Sequence, residues 1–219
     1  MSDTVNLGLC KKYKPTDLKN FIGNFKLKKE LLSLFDSNTI PQVILLQGES
    51  GCGKTTLAHI IAEKYKKINN IVTDIVDECI IDIDIITSDL ENKKVEVCII
   101  DECQFGTIQA QNMIADIIEK SKNKVLFILC TTDMNEISKE LLNKCQLILN
   151  VGKSTKQELV DLLRDICIKE NIKYDEAGLT RIVINNDYIV RRALLTLEYI
   201  VSKGNNATYE SVTEIINKK

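Results

Sequence analysis

Residues 48–53 read Gly-Glu-Ser-Gly-Cys-Gly, and Lys54, Thr55 and Thr56 follow at once. Three of the nine glycines in 219 residues fall within these six positions. The stretch before them, "QVILLQ" (42–47), is a short continuous apolar run, the pattern of a buried strand. The stretch after them, 55–66, places Leu57, Ile60 and Ile61 at helical spacing. The chain therefore passes from strand to helix through a loop that must turn sharply, and glycine permits that because it adopts left-handed backbone at little cost.

Such a loop has one chemical use that follows from its geometry. Successive backbone N–H groups turn inward and wrap phosphate oxygens, and the helix N-terminus adds its partial positive charge. Gly48 to Thr55 matches G-x-x-x-x-G-K-[ST] in the strand–loop–helix context that this motif requires. Gly48, Glu49, Ser50, Gly51, Cys52, Gly53, Lys54, Thr55 and Thr56 are accordingly expected to bind ATP. Lys54 would reach the β- and γ-phosphates, and the Thr55 hydroxyl would ligate Mg²⁺. Cys52 reads as a small side chain tolerated in a tight turn.

About 50 residues further on, "VEVCIIDE" (95–102) is an apolar strand that ends in Asp101 and Glu102. An acid at the C-terminal edge of a neighbouring strand would hold Mg²⁺, directly or through water. The adjacent Glu102 would act as general base on the attacking water. Hydrolysis, beyond binding, is the expected chemistry.

Further strands are expected at 79–86, 124–132 and 146–151, and helices at 25–35, 107–120 and 138–144. Strands alternating with helices give an α/β fold around a parallel sheet. From 152 onward only helical periods remain, with Gly178 and Gly204 near the breaks. The expected organisation is a P-loop ATPase domain at 1–151 with helices flanking its sheet, followed by a small all-helical lid domain at 152–219.

Composition narrows the function classes. With 29 basic and 31 acidic residues the net charge is −2, so this is no broadly basic nucleic-acid coat. Lysine clusters at 11–14, 26–29 and 64–67 leave room for a local basic patch, although each by itself reads as a solvated helix face. Only four residues are arginine: Arg164, Arg181, Arg191 and Arg192, none in the first 163. The eight cysteines form no C-x-x-C pair and have no histidine clusters beside them, which argues against a zinc module. Cys79, Cys98 and Cys130 lie in apolar runs and read as buried thiols of a reducing compartment. No apolar run approaches 18 residues and no signal-peptide pattern opens the chain, so a soluble intracellular protein with no membrane partner is expected. His59 reads as structural.

Six segments occur in order: "KYKPTDLKNFIGN" (12–24), the glycine loop, "DECQFGTIQAQNMI" (101–114), "FILCTTD" (127–133), "NKCQ" (143–146) and "VRRAL" (190–194). Together they resemble the clamp-loader branch of AAA+ ATPases: replication-factor-C small subunits, the bacterial gamma subunit and phage loaders. The resemblance implies an ATP-driven subunit that works with other loader subunits to open a sliding clamp and place it on primer–template DNA. It also implies a cytoplasmic, nucleoid or nuclear protein, plausibly encoded by a phage or virus. Carried over residue by residue, it puts Tyr13, Pro15, Ile22 and Gly23 around the adenine, Thr132 at sensor 1 and Arg191 at sensor 2. Without it, Arg191 and Arg192 would read as solvated basic residues of a helix. Gln111 and Asn112 match the family's helix after the acidic pair, and read nearly as well as helix-surface amides.

Three departures accompany the resemblance. Where the family has an arginine that acts in trans on a neighbour's ATP, this chain has Lys144, a point charge without a planar fork. The segment after the expected second strand is too short for the family's helix there. The helical collar that joins family subunits would begin beyond residue 219, so weak self-assembly is expected. Two other functions stay open: a different DNA-associated AAA+ ATPase such as a helicase loader, and a module that binds ATP for interaction with little hydrolysis. DNA contact would be to phosphates, mainly through lysines, and steeply salt-dependent.

Overall fold

Strand periods and helical periods occupy different parts of this chain, and the computed structural model describes both, over residues 8–73, 75–79, 86, 88, 95–121 and 124–217. Two compact units result. One comprises Thr16–Ser50 and Lys54–Val151. The other comprises the residues up to Pro15, Gly51–Gly53 and the chain from Gly152 onward.

In the first unit, helix α2 (Phe25–Asp36) precedes β1 (Val43–Gln47), which leads through the glycine loop into α3 (Lys54–Asn69). Then come β2 (Val76–Cys79), β3 (Val97–Asp101), α4 (Ile108–Lys120), β4 (Leu126–Thr131), α5 (Lys139–Lys144) and β5 (Leu147–Asn150). The five strands form one parallel sheet in the order β2-β3-β4-β1-β5. The register places Gln47 opposite Thr131 and Ile100 opposite Leu129. Central strands β1, β3 and β4 are apolar and buried almost throughout, as expected when both faces of a parallel sheet are covered.

Alternate residues of the strands share a face. Val43, Leu45, Cys98, Ile100, Phe127 and Leu129 form one core with Ile114 and Ile118 of α4 and Leu141 of α5. Burying each such side chain contributes about 1.5–3 kcal/mol. α4 begins where the Thr107 hydroxyl accepts the Ala110 N–H at 3.1 Å, a side-chain N-cap.

Two sequence expectations change in this unit. The second strand runs Val76–Cys79 and not 79–86; residues 80–85 lie outside the described residues, and Ile86 and Ser88 are helical. The strand was hard to see because it is an edge strand: Asp77 and Glu78 sit inside it, where solvent on one side tolerates them. Of the segment expected to be too short for the family's helix, Ile86 and Ser88 are helical, with Ile86 fully buried in the core, and 87 and 89–94 lie outside the described residues. Gln111 is no surface amide either. It is fully buried, donates to the carbonyls of Gly106 and Glu136 at 3.0 Å each, and accepts the Ser138 N–H at 2.5 Å. His59 bridges α3 to β2 through Asp77 at 3.0 Å, a structural role.

The second unit contains a short helix α1 (Leu9–Lys12) and four longer ones: α6 (Lys156–Lys169), α7 (Glu176–Asn185), α8 (Val190–Ser202) and α9 (Tyr209–Asn217). Leu159, Leu163, Ile166, Leu179, Ile182, Leu197 and Ile200 recur at helical spacing and are buried. A capping box of Thr155 and Glu158 starts α6. One carboxylate, Asp175, accepts the N–H of Gly178 at 2.7 Å at the start of α7 and that of Tyr209 at the start of α9. Gly178 lies in the first turn of α7, and a Cβ there would come within 2.3 Å of the Ala207 carbonyl oxygen. Close backbone approach, not a helix break, explains that glycine.

Candidate nucleotide site

At the carboxyl ends of β1, β3 and β4 the apolar strands hand over to polar groups. β1 runs into Gly48, and α3 begins at Lys54. Lys54 is buried, and its ammonium donates to the carbonyls of Gly48 at 2.9 Å and Glu49 at 3.4 Å. Those bonds fold the lysine back along its own loop, with the charge held beside the loop's peptide groups. Glu49 and Ser50 are exposed, and Thr56 is half-buried as the third residue of α3.

The next residue, Thr55, donates its hydroxyl to Asp101 Oδ2 at 2.6 Å. Asp101 ends β3, and its other oxygen accepts the Glu102 N–H at 3.0 Å. Thr55 and Asp101, remote in sequence, therefore present two hard oxygens side by side. That donor set fits Mg²⁺, which takes few protein oxygens and completes its shell with phosphate and water. Among the described residues no group of three or more His, Cys, Asp or Glu side chains could hold a metal ion.

Glu102 turns off the strand with a left-handed backbone, φ 49° and ψ 49°, a conformation that costs a non-glycine residue about 1 kcal/mol or more. Its carboxylate accepts from Gln104 Nε2 at 2.6 Å, and the same nitrogen donates to the Thr132 hydroxyl at 2.8 Å. The structure thus links Glu102 and Thr132 through a residue that sequence reasoning did not single out. Beneath them Cys103 and Cys130 are buried free thiols. Burial first, and then the negative charge of Asp101, pushes the Cys130 thiol well above its usual range; burial does the same to Cys103. Both stay protonated and supply no nucleophile. Cys98 is likewise a buried thiol, while the side chain of Cys79 lies outside the described residues.

The remaining expected site residues divide between the units. Ile22 and Gly23 lie on the loop before α2, where Gly23 (φ 69°) and Asn24 (φ 55°) are both left-handed. Tyr13 and Pro15 belong to the helical unit. There the Tyr13 hydroxyl donates to Glu170, which also pairs with Lys12 at 2.6 Å. Partial burial and the negative Glu170 beside it push the Tyr13 phenol up to about 12. Gly51 and Arg191 meet in that unit: the Arg191 N–H reaches the Gly51 carbonyl at 3.4 Å. A Cβ on Gly51, whose φ is +88°, would lie 3.0 Å from Ile189 and 3.2 Å from Arg191 Cβ. Cys52 is buried, and the Arg191 side chain is exposed. Lys144 pairs with Glu119 of the same chain at 2.8 Å.

The chain is also similar to known proteins. Residues 44–153, half of it, match the family described as ATPase family associated with various cellular activities (AAA). The chain belongs to the AAA family of ATPases. DNA polymerase III subunit gamma/tau of Mycoplasma genitalium is 28% identical over 93% of this chain and 38% of its own length. The replication factor C small subunit of Methanococcus maripaludis is 26% identical over 94% of this chain and 69% of its own. This AAA ATPase chain therefore spans well under half of the first of these relatives. In fold it is similar to the RuvB Holliday junction branch migration motor of Thermotoga maritima, with a TM-score of 0.75 at 23% identity, covering 94% of this chain and 72% of that one. Among the described residues no helix is long and apolar enough to cross a membrane.

Proposed function

We propose that this AAA ATPase is the ATP-hydrolysing part of a sliding-clamp-loader subunit, acting with other loader subunits, a replication clamp and primer–template DNA. The observation that carries the reading is the meeting of Thr55 with Asp101 at 2.6 Å beside the buried Lys54. It joins the phosphate loop to the acidic strand end. The two relatives, a DNA polymerase III gamma/tau subunit and a replication factor C small subunit, supply the cellular context.

In this reading the amides of the glycine loop and the Lys54 ammonium bind the β- and γ-phosphates of ATP. Thr55 and Asp101 hold Mg²⁺, which when bound neutralises charge on the phosphate oxygens. Glu102 accepts a proton from water as the water oxygen bonds to the γ-phosphorus and ADP departs. The Thr132 hydroxyl donates to the γ-phosphate or orients the water. Arg191 reads the γ-phosphate as sensor 2, and Tyr13, Pro15, Ile22 and Gly23 contact the adenine. Lys144 acts in trans on a neighbour's nucleotide. One observation favours the reading as an interaction module with little hydrolysis: the Lys144 ammonium is already engaged by Glu119.

The test is steady-state ATP hydrolysis by the purified chain, alone and with a sliding clamp plus primer–template DNA from the same source. Stimulation of several-fold, falling steeply with added salt, is the expected result. Turnover indifferent to both clamp and DNA would overturn the loader reading. Glu102→Gln should lower turnover by about 10²-fold or more while ATP still binds; unchanged turnover would remove Glu102 as the base.

A further inference from the structure

Gln104 follows the acidic pair by two residues, on the single 3₁₀ turn Cys103–Phe105 that leaves β3. It is 8% exposed, and a buried amide must satisfy both its oxygen and its two N–H groups. Here every capacity is met by the edge of the site. Oε1 accepts from the Thr131 hydroxyl at 2.9 Å and from the Thr132 backbone N–H at 3.3 Å. Nε2 donates to Glu102 Oε2 at 2.6 Å and to Thr132 Oγ1 at 2.8 Å.

The direction of this amide is fixed by its neighbours. A backbone N–H only donates, so the atom facing Thr132 N is the oxygen. The NH₂ end then faces a carboxylate, which only accepts, and a hydroxyl, which must accept there. Two consequences follow. The Thr132 hydroxyl, with a lone pair taken by Gln104, turns its own proton away from the amide and becomes a donor. Glu102, whose backbone is left-handed, is tethered through Oε2 to Gln104, which leaves Oε1 as the accepting oxygen not shared in that bond.

We propose that Gln104 is a positioning residue for ATP hydrolysis, one buried amide that orients the Glu102 carboxylate as acceptor and the Thr132 hydroxyl as donor. The inference rests on the reading of Glu102 as base and Thr132 as sensor given above. Because β3 and β4 are adjacent in the sheet, the amide also ties the two strand ends that carry those groups. Glutamine is the side chain that does this: asparagine is one methylene shorter, and glutamate has no proton to give either partner.

The experiment compares ATP turnover, ATP affinity and thermal midpoint in the wild type, Gln104→Leu, Gln104→Asn, Thr132→Val and the double variant Gln104→Leu/Thr132→Val. Gln104→Leu should lower kcat by about 10- to 100-fold, less than the roughly 10²- to 10³-fold for loss of a donor that touches the reacting atoms, with ATP affinity held within about threefold. The double variant should lose about fivefold less than the product of the two single losses, the signature of residues acting as a unit. A purely structural role would instead lower the thermal midpoint and multiply the losses, and would overturn the proposal. If Gln104→Leu fails to fold, Gln104→Asn keeps the polarity but not the reach and should show the same loss of kcat. Wild-type turnover with both Gln104 variants equally active would overturn this inference alone. A wild type without turnover would overturn it together with the reading of the site.

Discussion

The strand ends of the sheet unit and the surface of the helical unit both carry dense polar side chains, and they use them in opposite ways. At the strand ends Lys54, Gln104 and Thr131 are buried, and they bond to loop carbonyls, to Asp133 or to other members of the cluster. On the helical unit Arg164 bridges Asp161 and Glu176, whose side chains are 47% and 58% exposed. Water competes with the second set, so such pairs contribute little to stability. Burying the first set costs free energy unless every group is matched. A protein that accepts that cost at one edge of its sheet, and satisfies it within the cluster, is holding side chains in place for a reaction. The carboxyl ends of parallel strands are where such folds put their ligands.

The comparison can be broken, and the largest expected effect is at the strand ends. Lys54→Ala should weaken ATP binding by about 10²- to 10³-fold, since truncating one partner of a buried charge contact costs several kcal/mol. Calorimetric titration with ATP would read it, and unchanged affinity would mean that the buried ammonium serves the loop alone. A smaller effect should come from packing in the helical unit. Gly178→Ala sets a Cβ against the Ala207, Thr208 and Tyr209 backbone at 2.3 to 2.9 Å, an overpacking that costs about 1–3 kcal/mol. The thermal midpoint should fall by several degrees, and an unmoved midpoint would show that α7 and α9 separate freely.

The smallest effect sharpens the surface half of the comparison. Tyr13 ionises at about 12 instead of 10 because its ring is partly buried and its hydroxyl donates to Glu170. Its folded pKa is raised, so the stabilisation is fully present below pH 10 and is lost as pH rises through 12. The difference in thermal midpoint between wild type and Tyr13→Phe should be constant from neutral pH to about 9 and close between pH 10 and 12. A gap that stays constant through pH 12 would show that the phenol and Glu170 are not coupled.

How much of this was legible beforehand depends on how far each signal reaches along the chain. The glycine loop spans eight contiguous residues and announces itself by spacing. The buried strands β1, β3 and β4 are continuous apolar runs, and the helices of the second unit keep a helical period. β2 escaped because its edge position lets Asp77 and Glu78 interrupt the run. Gln104, and the burial of Gln111, escaped for a different reason. A lone glutamine has no period, and each earns its burial from partners 25 to 28 residues away.

Local steric and hydrogen-bonding preferences act between neighbours, so the sequence by itself determined the phosphate loop, the apolar strands, the helical periods and the acidic pair. Which side chains face one another was decided only when β3 settled beside β4 and the strand ends came level. That order comes from how helices and strands pack around a common core, a sum of many small contacts that no short stretch contains. The bond from Thr55 to Asp101 and the amide of Gln104 between Glu102 and Thr132 both depend on it.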